Sequence, residues 1–161
     1  MITIKAVLFD WGDTLMVDYP QFSGKMCDWP KVEAVEGALE GLKRLSKHCP
    51  LYLATNAQES TVDDIELALD KVGLRPYLSG IFCKSELGVD KKSPEFYPAI
   101  VKQLALEPHQ VVMVGDSIVK DISPAKQAGL PTVWLSNSDL SHPDADLVVP
   151  NLTVLNLELL T

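Results

Sequence analysis

The stretch that decides the fold is "AVLFDWGDTLM", residues 6–16. Its first four residues are apolar, a pattern typical of a strand that is buried on both faces of a sheet. The run stops at Asp10, and a glycine turn follows almost at once. A carboxylate in this place lies at the edge where open parallel sheets bind ligands. The sequence therefore predicts a site that begins with Asp10, and it raises the question of what the nearby Asp13 does.

The rest of the chain alternates predicted strands and helices. Further short segments rich in apolar and β-branched residues predict strands, namely "LYLAT", "GIFC", "QVVMVG", "PTVWLS" and "ADLVV". Apolar spacing and terminal signals predict helices in "EGALEGLKRLSKH", "STVDDIELALDKVG", "SPEFYPAIVKQLAL", "DISPAKQAG" and the terminal "NLTVLNLELL". This repeated β-α-β order predicts an α/β fold, a Rossmann-like three-layer sandwich with a mainly parallel central sheet.

The length of 161 residues predicts a single domain spanning 1–161. Residues 16–34 have no clear period and contain Pro20, Gly24 and Pro30, so we expect an irregular loop over the strand ends. No apolar run approaches the roughly 20 residues of a membrane span. The net charge of −8 disfavours a nucleic-acid partner. The lack of a signal-peptide pattern and the scattered cysteines predict a cytoplasmic protein with free thiols.

Polar side chains follow four of the predicted strands, at the edge where parallel strands end. In chain order they are Asp10, Thr55, Asn56, one of the two adjacent lysines Lys91 and Lys92, Asp116 and Asp121. Clustered carboxylates repel one another and favour a cation, and hard oxygen ligands suit Mg²⁺. A lysine and a hydroxyl beside them suit a phosphoryl group. The residues themselves therefore predict metal-assisted phosphoryl chemistry with an aspartate nucleophile.

Four ordered motifs give the chain a family resemblance. They are "LFDWGDTL", "LYLATN", "GVDKKSPEFY" and "VVMVGDSIVKDISPAKQAGL", and their order and spacing cover essentially the whole chain. In this order they resemble the haloacid dehalogenase-like (HAD) hydrolase superfamily. No cap-sized insertion follows the first motif or separates the second from the third, so the chain is similar to capless, phosphatase-like members. The resemblance implies a Mg²⁺-dependent hydrolase that cleaves phosphomonoesters through an aspartyl-phosphate intermediate.

The resemblance also implies roles for single residues. Asp10 matches the nucleophile, and Lys91 matches the lysine that pairs with both the nucleophile and the phosphate. Lys91 is preferred to Lys92 because Lys92 stands where the family often has proline. Thr55 matches the hydroxyl that holds the phosphoryl oxygens, and the adjacent Asn56 is a candidate either for substrate binding or for capping the loop. The positions that match the family's Mg²⁺ ligands are Asp10, the backbone carbonyl of Gly12, Asp116 and Asp121.

One position departs from the family pattern. Most phosphatases of the family read Asp-x-Asp-Gly-Thr, and the second acid protonates the leaving group and then activates water. Here Gly12 stands at that position and the acid follows as Asp13. General acid–base help is worth about 10²–10⁴ in rate. We expect Asp13 to be the catalytic acid–base group, brought to the site by a bend at Gly12. Two alternatives stay open: a slow enzyme that favours good leaving groups, or a regulatory module that binds Mg²⁺ and phosphate with little hydrolysis.

The expected partners follow from the missing cap. A capless site is open to solvent, so it either accepts phosphorylated substrates as large as a macromolecule or uses a second copy of the chain as a lid. The aromatic residues of the 16–34 loop, Tyr19, Phe22 and Trp29, either cover the core or touch a ligand. We expect a phosphorylated substrate, with a homo-oligomer as the alternative way to close the site, and no membrane or nucleic-acid partner.

Overall fold

Parallel strands in one sheet form the centre of the fold, as seen in a computed structural model that describes residues 3–57 and 59–160. The strands are β1 (Ala6–Phe9), β2 (Leu51–Ala54), β3 (Gly80–Phe82), β4 (Val111–Gly115), β5 (Thr132–Leu135) and β6 (Leu147–Val149). They lie in the order β3-β2-β1-β4-β5-β6, and each neighbouring pair is parallel. The strand order reverses between β1 and β4, and open α/β sheets bind ligands at such a reversal.

Helices cover both faces of the sheet. They are α1 (Ala38–Leu45), α2 (Val62–Lys71), α3 (Lys84–Leu87), α4 (Phe96–Leu104) and α5 (Ser123–Gln127). Buried residues of α1 and α2 join the core cluster on one face, whereas those of α4 and α5 join the cluster on the other. Strand β1 contributes to both clusters, because Phe9 faces the first and Leu8 the second. The predicted three-layer Rossmann-like fold is confirmed.

Local sequence signals account for two of the helix starts. Thr61 caps α2 in a capping box, since its Oγ1 accepts from the Asp64 backbone N at 3.3 Å and Asp64 Oδ2 accepts from the Thr61 backbone N at 3.0 Å. Helix α4 begins at Phe96, which places Pro98 in its first turn. A proline is tolerated there because the first backbone N–H groups of a helix have no partner within it.

The predicted terminal helix in "NLTVLNLELL" is wrong. This part of the chain instead forms two short 3₁₀ segments, Leu152–Val154 and Leu157–Leu160. The Arg44 side chain of α1 donates hydrogen bonds to the backbone carbonyls of Leu152, Thr153 and Leu155. The Leu152 carbonyl also accepts an i→i+3 bond from the Leu155 backbone N at 3.2 Å, so the segment that Arg44 ties to α1 has the bonds of a 3₁₀ turn.

The segment 16–34 runs beside the end of β1. Met16 forms isolated bridges with Gly12 and with Ala34. Met26 and Cys27, in the 3₁₀ turn Met26–Asp28, are buried in the core. The rings of Tyr19, Phe22 and Trp29 form a cluster with centroids 5.5, 5.6 and 6.5 Å apart. Among the residues that the structure describes, no helix has the length and apolar character needed to cross a membrane.

Candidate active site

Three carboxylates meet at the carboxyl end of the two central strands. Asp10 directly follows β1, and Asp116 directly follows β4. Asp121 lies in the π-helical turn Ile118–Ile122 that comes next. Because β1 and β4 pair in parallel register, their ends are adjacent, and one oxygen from each carboxylate lies within 4.8 Å of the other two. The structure thus brings together three of the residues that the sequence predicts as metal ligands.

Gly115 makes room for Asp121. An ideal β-carbon at position 115 would lie only 2.3 Å from Asp121 Oδ2 and 2.5 Å from Asp121 Cβ. Asp121 Oδ2 also accepts a hydrogen bond from the Ser117 backbone N at 3.1 Å. The glycine in "MVGDS" is therefore required by the close approach of the buried carboxylate to the end of β4.

Lys91 is the cation inside this cluster. Its Nζ lies 2.8 Å from Asp10 Oδ1 and 2.7 Å from Asp121 Oδ1, and it donates to the Ala54 carbonyl at 3.1 Å. The Lys91 side chain is 5% exposed, whereas the neighbouring Lys92 is exposed. Burial opposes the charged form of Lys91, but the adjacent carboxylates outweigh it and raise the pKa of the lysine above its ordinary value. The lysine is therefore a permanent positive charge at the site.

Asn56 and Thr55 lie at the same edge, after β2. Asn56 Oδ1 accepts a hydrogen bond from the Lys91 backbone N at 3.2 Å, so Asn56 holds the loop that carries the lysine. Thr55 is buried, and its backbone N donates to the Phe82 carbonyl at 3.0 Å. It follows Ala54, whose carbonyl contacts Lys91. The contacts of Asn56 fit the loop-capping alternative, and phosphoryl binding by Thr55 stays a prediction.

Thr14 is a site residue that the sequence analysis missed. Its buried Oγ1 lies 3.3 Å from Asp10 Oδ2 and 3.2 Å from Asp116 Oδ1, so its hydroxyl bridges the two carboxylates. A hydroxyl has one proton to donate, so it donates to one carboxylate at a time. The signal for it was a hydroxyl residue four positions after Asp10 in "DWGDT".

The carboxylates perturb one another. Burial, the hydrogen bond to Asp10 and the nearby charges of Asp10 and Asp121 raise the pKa of Asp116 to about 7. Burial also raises the pKa of Asp121, although Lys91 opposes that effect. Three carboxylates face one lysine, so the cluster carries excess negative charge and favours a further cation. Its hard oxygen donors fit Mg²⁺, with Asp10, Asp116 and Asp121 as the residues that would hold it.

This arrangement predicts a pH-dependent stability in the metal-free protein. Between about pH 4 and pH 7 the folded protein keeps the Asp116 proton that the unfolded chain has lost, since the pKa rises from 3.8 to about 7 on folding. The free energy of unfolding should therefore fall as the pH rises through this range. Urea denaturation in a chelator, across these pH values, measures the slope. Asp116→Asn should flatten it, and an unchanged slope in that variant would assign the effect to another group.

The structure does not bring Asp13 to the three carboxylates. Asp13 is exposed, and its Oδ1 accepts a hydrogen bond from the Asp18 backbone N at 3.0 Å. The Asp13 φ of 61° is in the left-handed region. Gly12 is not one of the described glycines with a positive φ. In this structure the unusual backbone angle belongs to Asp13 rather than to Gly12, and the Asp13 carboxylate binds the loop backbone. The acid–base role of Asp13 stays a prediction from the sequence.

Comparison with known proteins points to one family of hydrolases. A profile of the haloacid dehalogenase-like hydrolase family matches residues 24–129. The putative HAD-hydrolase YfnB of Bacillus subtilis is 26% identical over 127 residues, which are 78% of this chain and 52% of YfnB. Glyceraldehyde 3-phosphate phosphatase of Methanocaldococcus jannaschii is 35% identical over 65 residues, 40% of this chain and 28% of that protein. Phospholysine phosphohistidine inorganic pyrophosphate phosphatase of Homo sapiens is 39% identical over 83 residues, 47% and 30% of the two chains.

These matches span about half or less of the length of the relatives. Solved structures show the same fold over nearly the whole chain. A protein from Listeria monocytogenes superposes with a TM-score of 0.76 at 23% identity, covering 92% of this chain and 93% of the other. A HAD phosphatase from Thermococcus onnurineus superposes with a TM-score of 0.74 at 21% identity, covering 92% and 94%. At these identities the superpositions establish the fold alone.

Proposed function

The chain belongs to the haloacid dehalogenase-like hydrolase family, and from that membership and the geometry of the site we propose that it is a Mg²⁺-dependent phosphatase acting on phosphomonoesters. Asp10 is the nucleophile and forms an aspartyl-phosphate intermediate. The single observation that carries the proposal is the buried Lys91, whose Nζ lies between Asp10 and Asp121 at 2.8 and 2.7 Å. A fixed cation beside a nucleophilic carboxylate is suited to a reaction in which a phosphoryl group brings negative charge to that carboxylate.

The residues around Asp10 have separate proposed roles. Lys91 stabilises the negative charge of the phosphoryl oxygens, and Thr55 contributes a hydroxyl to the same oxygens. Thr14 holds Asp10 and Asp116 in fixed orientation through its contacts with both carboxylates. A bound Mg²⁺ would supply further neutralisation of the phosphoryl charge. Its proposed ligands are Asp10, Asp116 and Asp121, with the backbone carbonyl of Gly12 as a ligand that the family resemblance adds.

The substrate is proposed only as a class. Phosphatases with quite different substrates in their names match this chain, among them the glyceraldehyde 3-phosphate and the phospholysine phosphohistidine enzymes. Such substrates share a phosphoryl group, and the residues around Asp10 are the ones proposed to bind that group. We propose a phosphorylated small molecule or macromolecule as substrate, and a cytoplasmic location and a homo-oligomer remain predictions from the sequence.

A second candidate function is a regulatory protein that binds Mg²⁺ and phosphate but hydrolyses little. The observation in its favour is that Gly12 has no side chain to supply an acid and that the Asp13 carboxylate is turned toward the Asp18 backbone. Loss of an acid–base group costs about 10²–10⁴ in rate, enough to make an enzyme slow.

A substrate panel distinguishes the two functions. We expect phosphate release from at least one member of a panel of sugar phosphates, nucleotides, acyl phosphates and phosphopeptides when Mg²⁺ is present, and none in EDTA. Mg²⁺ should also raise the melting temperature, because a ligand that binds only the folded state stabilises it. A melting-temperature shift with no turnover would favour the regulatory function. A protein that shows no melting-temperature shift and no turnover would contradict both functions.

A further inference from the structure

The Asp18 side chain lies within contact distance of the point that a β-carbon at position 12 would occupy. An ideal β-carbon on Gly12 would lie 3.5 Å from Asp18 Cβ and 3.8 Å from Asp18 Oδ2. The three atoms nearest to that point all belong to Asp18. The space beside Gly12 is therefore lined by the side chain of Asp18, a residue that comes six positions later in the chain and that no motif points to.

Position 12 lies near Asp10 at the end of β1. Phe9 and Trp11 pack in the core cluster on one side of the sheet, whereas Leu8 packs in the cluster on the other side. Asp10 therefore lies on the side of Leu8. The chain bends at Trp11, and Gly12 follows as the second residue after Asp10. A group beside Gly12 is thus only two positions of the chain away from the proposed nucleophile.

The loop is folded so that Asp18 stays in this place. The Asp18 backbone N donates to Asp13 Oδ1 at 3.0 Å, and the Asp13 backbone N donates to the Met16 carbonyl at 2.7 Å. The Val17 backbone N donates to the Glu33 carbonyl at 2.8 Å, which ties the other side of the loop to the chain that returns from the aromatic cluster. In this arrangement Asp13 is a positioning residue, because its carboxylate holds the backbone of Asp18.

The Asp18 carboxylate is available for proton transfer. It is exposed, and within residues 3–57 and 59–160 no side chain or backbone group forms a hydrogen bond or an ion pair with it. The other carboxylates near β1 are engaged: Asp10 with Lys91, Asp116 with Thr14, and Asp13 with the Asp18 backbone. Breaking a phosphomonoester requires a proton for the departing oxygen unless that oxygen leaves readily as an anion.

We propose that Asp18 is the general acid and base of this enzyme, an assignment that rests on the proposed phosphatase function. In the first step a carboxylate oxygen of Asp10 bonds to phosphorus. The bond from phosphorus to the leaving oxygen breaks with its electron pair, and that oxygen takes the proton of the Asp18 carboxyl. In the second step a water oxygen bonds to phosphorus and gives a proton to the Asp18 carboxylate. The bond from phosphorus to Asp10 then breaks, which releases inorganic phosphate and restores both carboxyl groups.

The test compares Asp18→Asn with Asp70→Asn, an exposed acid on α2 outside the site. With an alkyl phosphate, kcat of Asp18→Asn should fall by about 10² or more, because the alkoxide needs the proton. With p-nitrophenyl phosphate the first turnover should survive as a burst of p-nitrophenolate, since that leaving group needs no proton. Hydrolysis of the intermediate should then be slow, so phosphate should accumulate on the acid-precipitated protein. Asp70→Asn should behave as wild type in all three measurements.

A rescue variant separates acid–base chemistry from structural damage. A β-carbon at position 12 has ordinary contact distances of 3.5 Å or more, so Gly12→Asp should be accommodated. Added to Asp18→Asn, it should recover alkyl phosphate turnover by about 10-fold or more, a fraction of the acid–base contribution. Equal losses for both substrates, no burst and no rescue would overturn the assignment. Wild-type rates in Asp18→Asn would also overturn the assignment of Asp18, but they would leave the proposed phosphatase function standing. A wild-type protein that hydrolyses no phosphate ester would overturn the function and the assignment together.

Discussion

We expect Asp10→Asn to lower Mg²⁺-dependent turnover of an aryl phosphate by a factor on the order of 10⁴ or more, because an amide cannot form the aspartyl-phosphate intermediate. The measurement is kcat for release of the aryl alcohol, together with phosphate retained on the acid-precipitated protein. Both signals should disappear in the variant. The substitution changes one carboxylate among three and leaves Lys91 paired with Asp121, so the fold should be kept.

The control for Asp10→Asn is the melting temperature in EDTA. Neutralising Asp10 removes its ion pair with Lys91 but also its repulsion from Asp116 and Asp121, and Lys91 keeps Asp121 as a partner. The melting temperature of the metal-free protein should therefore fall by no more than a few degrees. A folded variant without turnover identifies Asp10 as a chemical participant. Undiminished Mg²⁺-dependent turnover in a folded variant would show that the nucleophile is a different group.

The second large effect is expected from Lys91→Met, which removes the buried cation and keeps a side chain of similar length. Asp10 and Asp121 would then face each other without their shared partner. Breaking a buried ion pair in this way costs about 3–5 kcal/mol of the free energy of unfolding. Urea denaturation in EDTA at mildly alkaline pH measures the loss. Turnover should be lost as well, because no fixed charge would face the phosphoryl group.

Lys92→Met is the matched control for that variant. Lys92 is the next residue in the chain and is exposed, so its removal should change stability by no more than about 0.5 kcal/mol. The destabilisation of Lys91→Met should shrink as the pH falls, since protonated carboxyl groups no longer repel each other. If the two lysine variants had equal stability and equal turnover, the buried ion pairs would not be the reason for Lys91's place in the site.

The reversal of strand order explains why residues from distant parts of the chain meet at one point. Asp10 and Asp116 are more than a hundred positions apart, yet each directly follows one of two paired strands. Any side chain at these two places is held by the backbone hydrogen bonds of the sheet. Lys91 lies on the loop after β3. The hydrogen bond from the Lys91 backbone N to Asn56 holds this loop next to the end of β2. The geometry of the site is therefore mostly a consequence of sheet topology.

Those parts of the fold and of the site that depend on local signals are predictable from the sequence. The apolar run "AVLF" and its counterparts predict buried parallel strands, because burial on both faces leaves a continuous apolar pattern. Asp10 and Asp116 directly follow such runs, so their place at one edge follows from the alternation of strands and helices. The choice of Lys91 over Lys92 rests on family register, and burial in the structure agrees with it.

Tertiary structure decides the features that depend on distant contacts. The terminal segment forms 3₁₀ turns instead of an α-helix, and the Arg44 side chain of α1 donates hydrogen bonds to its backbone carbonyls. Thr14 bridges Asp10 and Asp116 only because β1 and β4 are neighbours. The position of Asp18 beside Gly12 depends on bridges from Met16 to Ala34 and from Val17 to Glu33. The sequence by itself determines that position 12 has no acid. Only the folded loop places the Asp18 side chain beside that position, since loop conformation is set by long-range contacts rather than by local pattern.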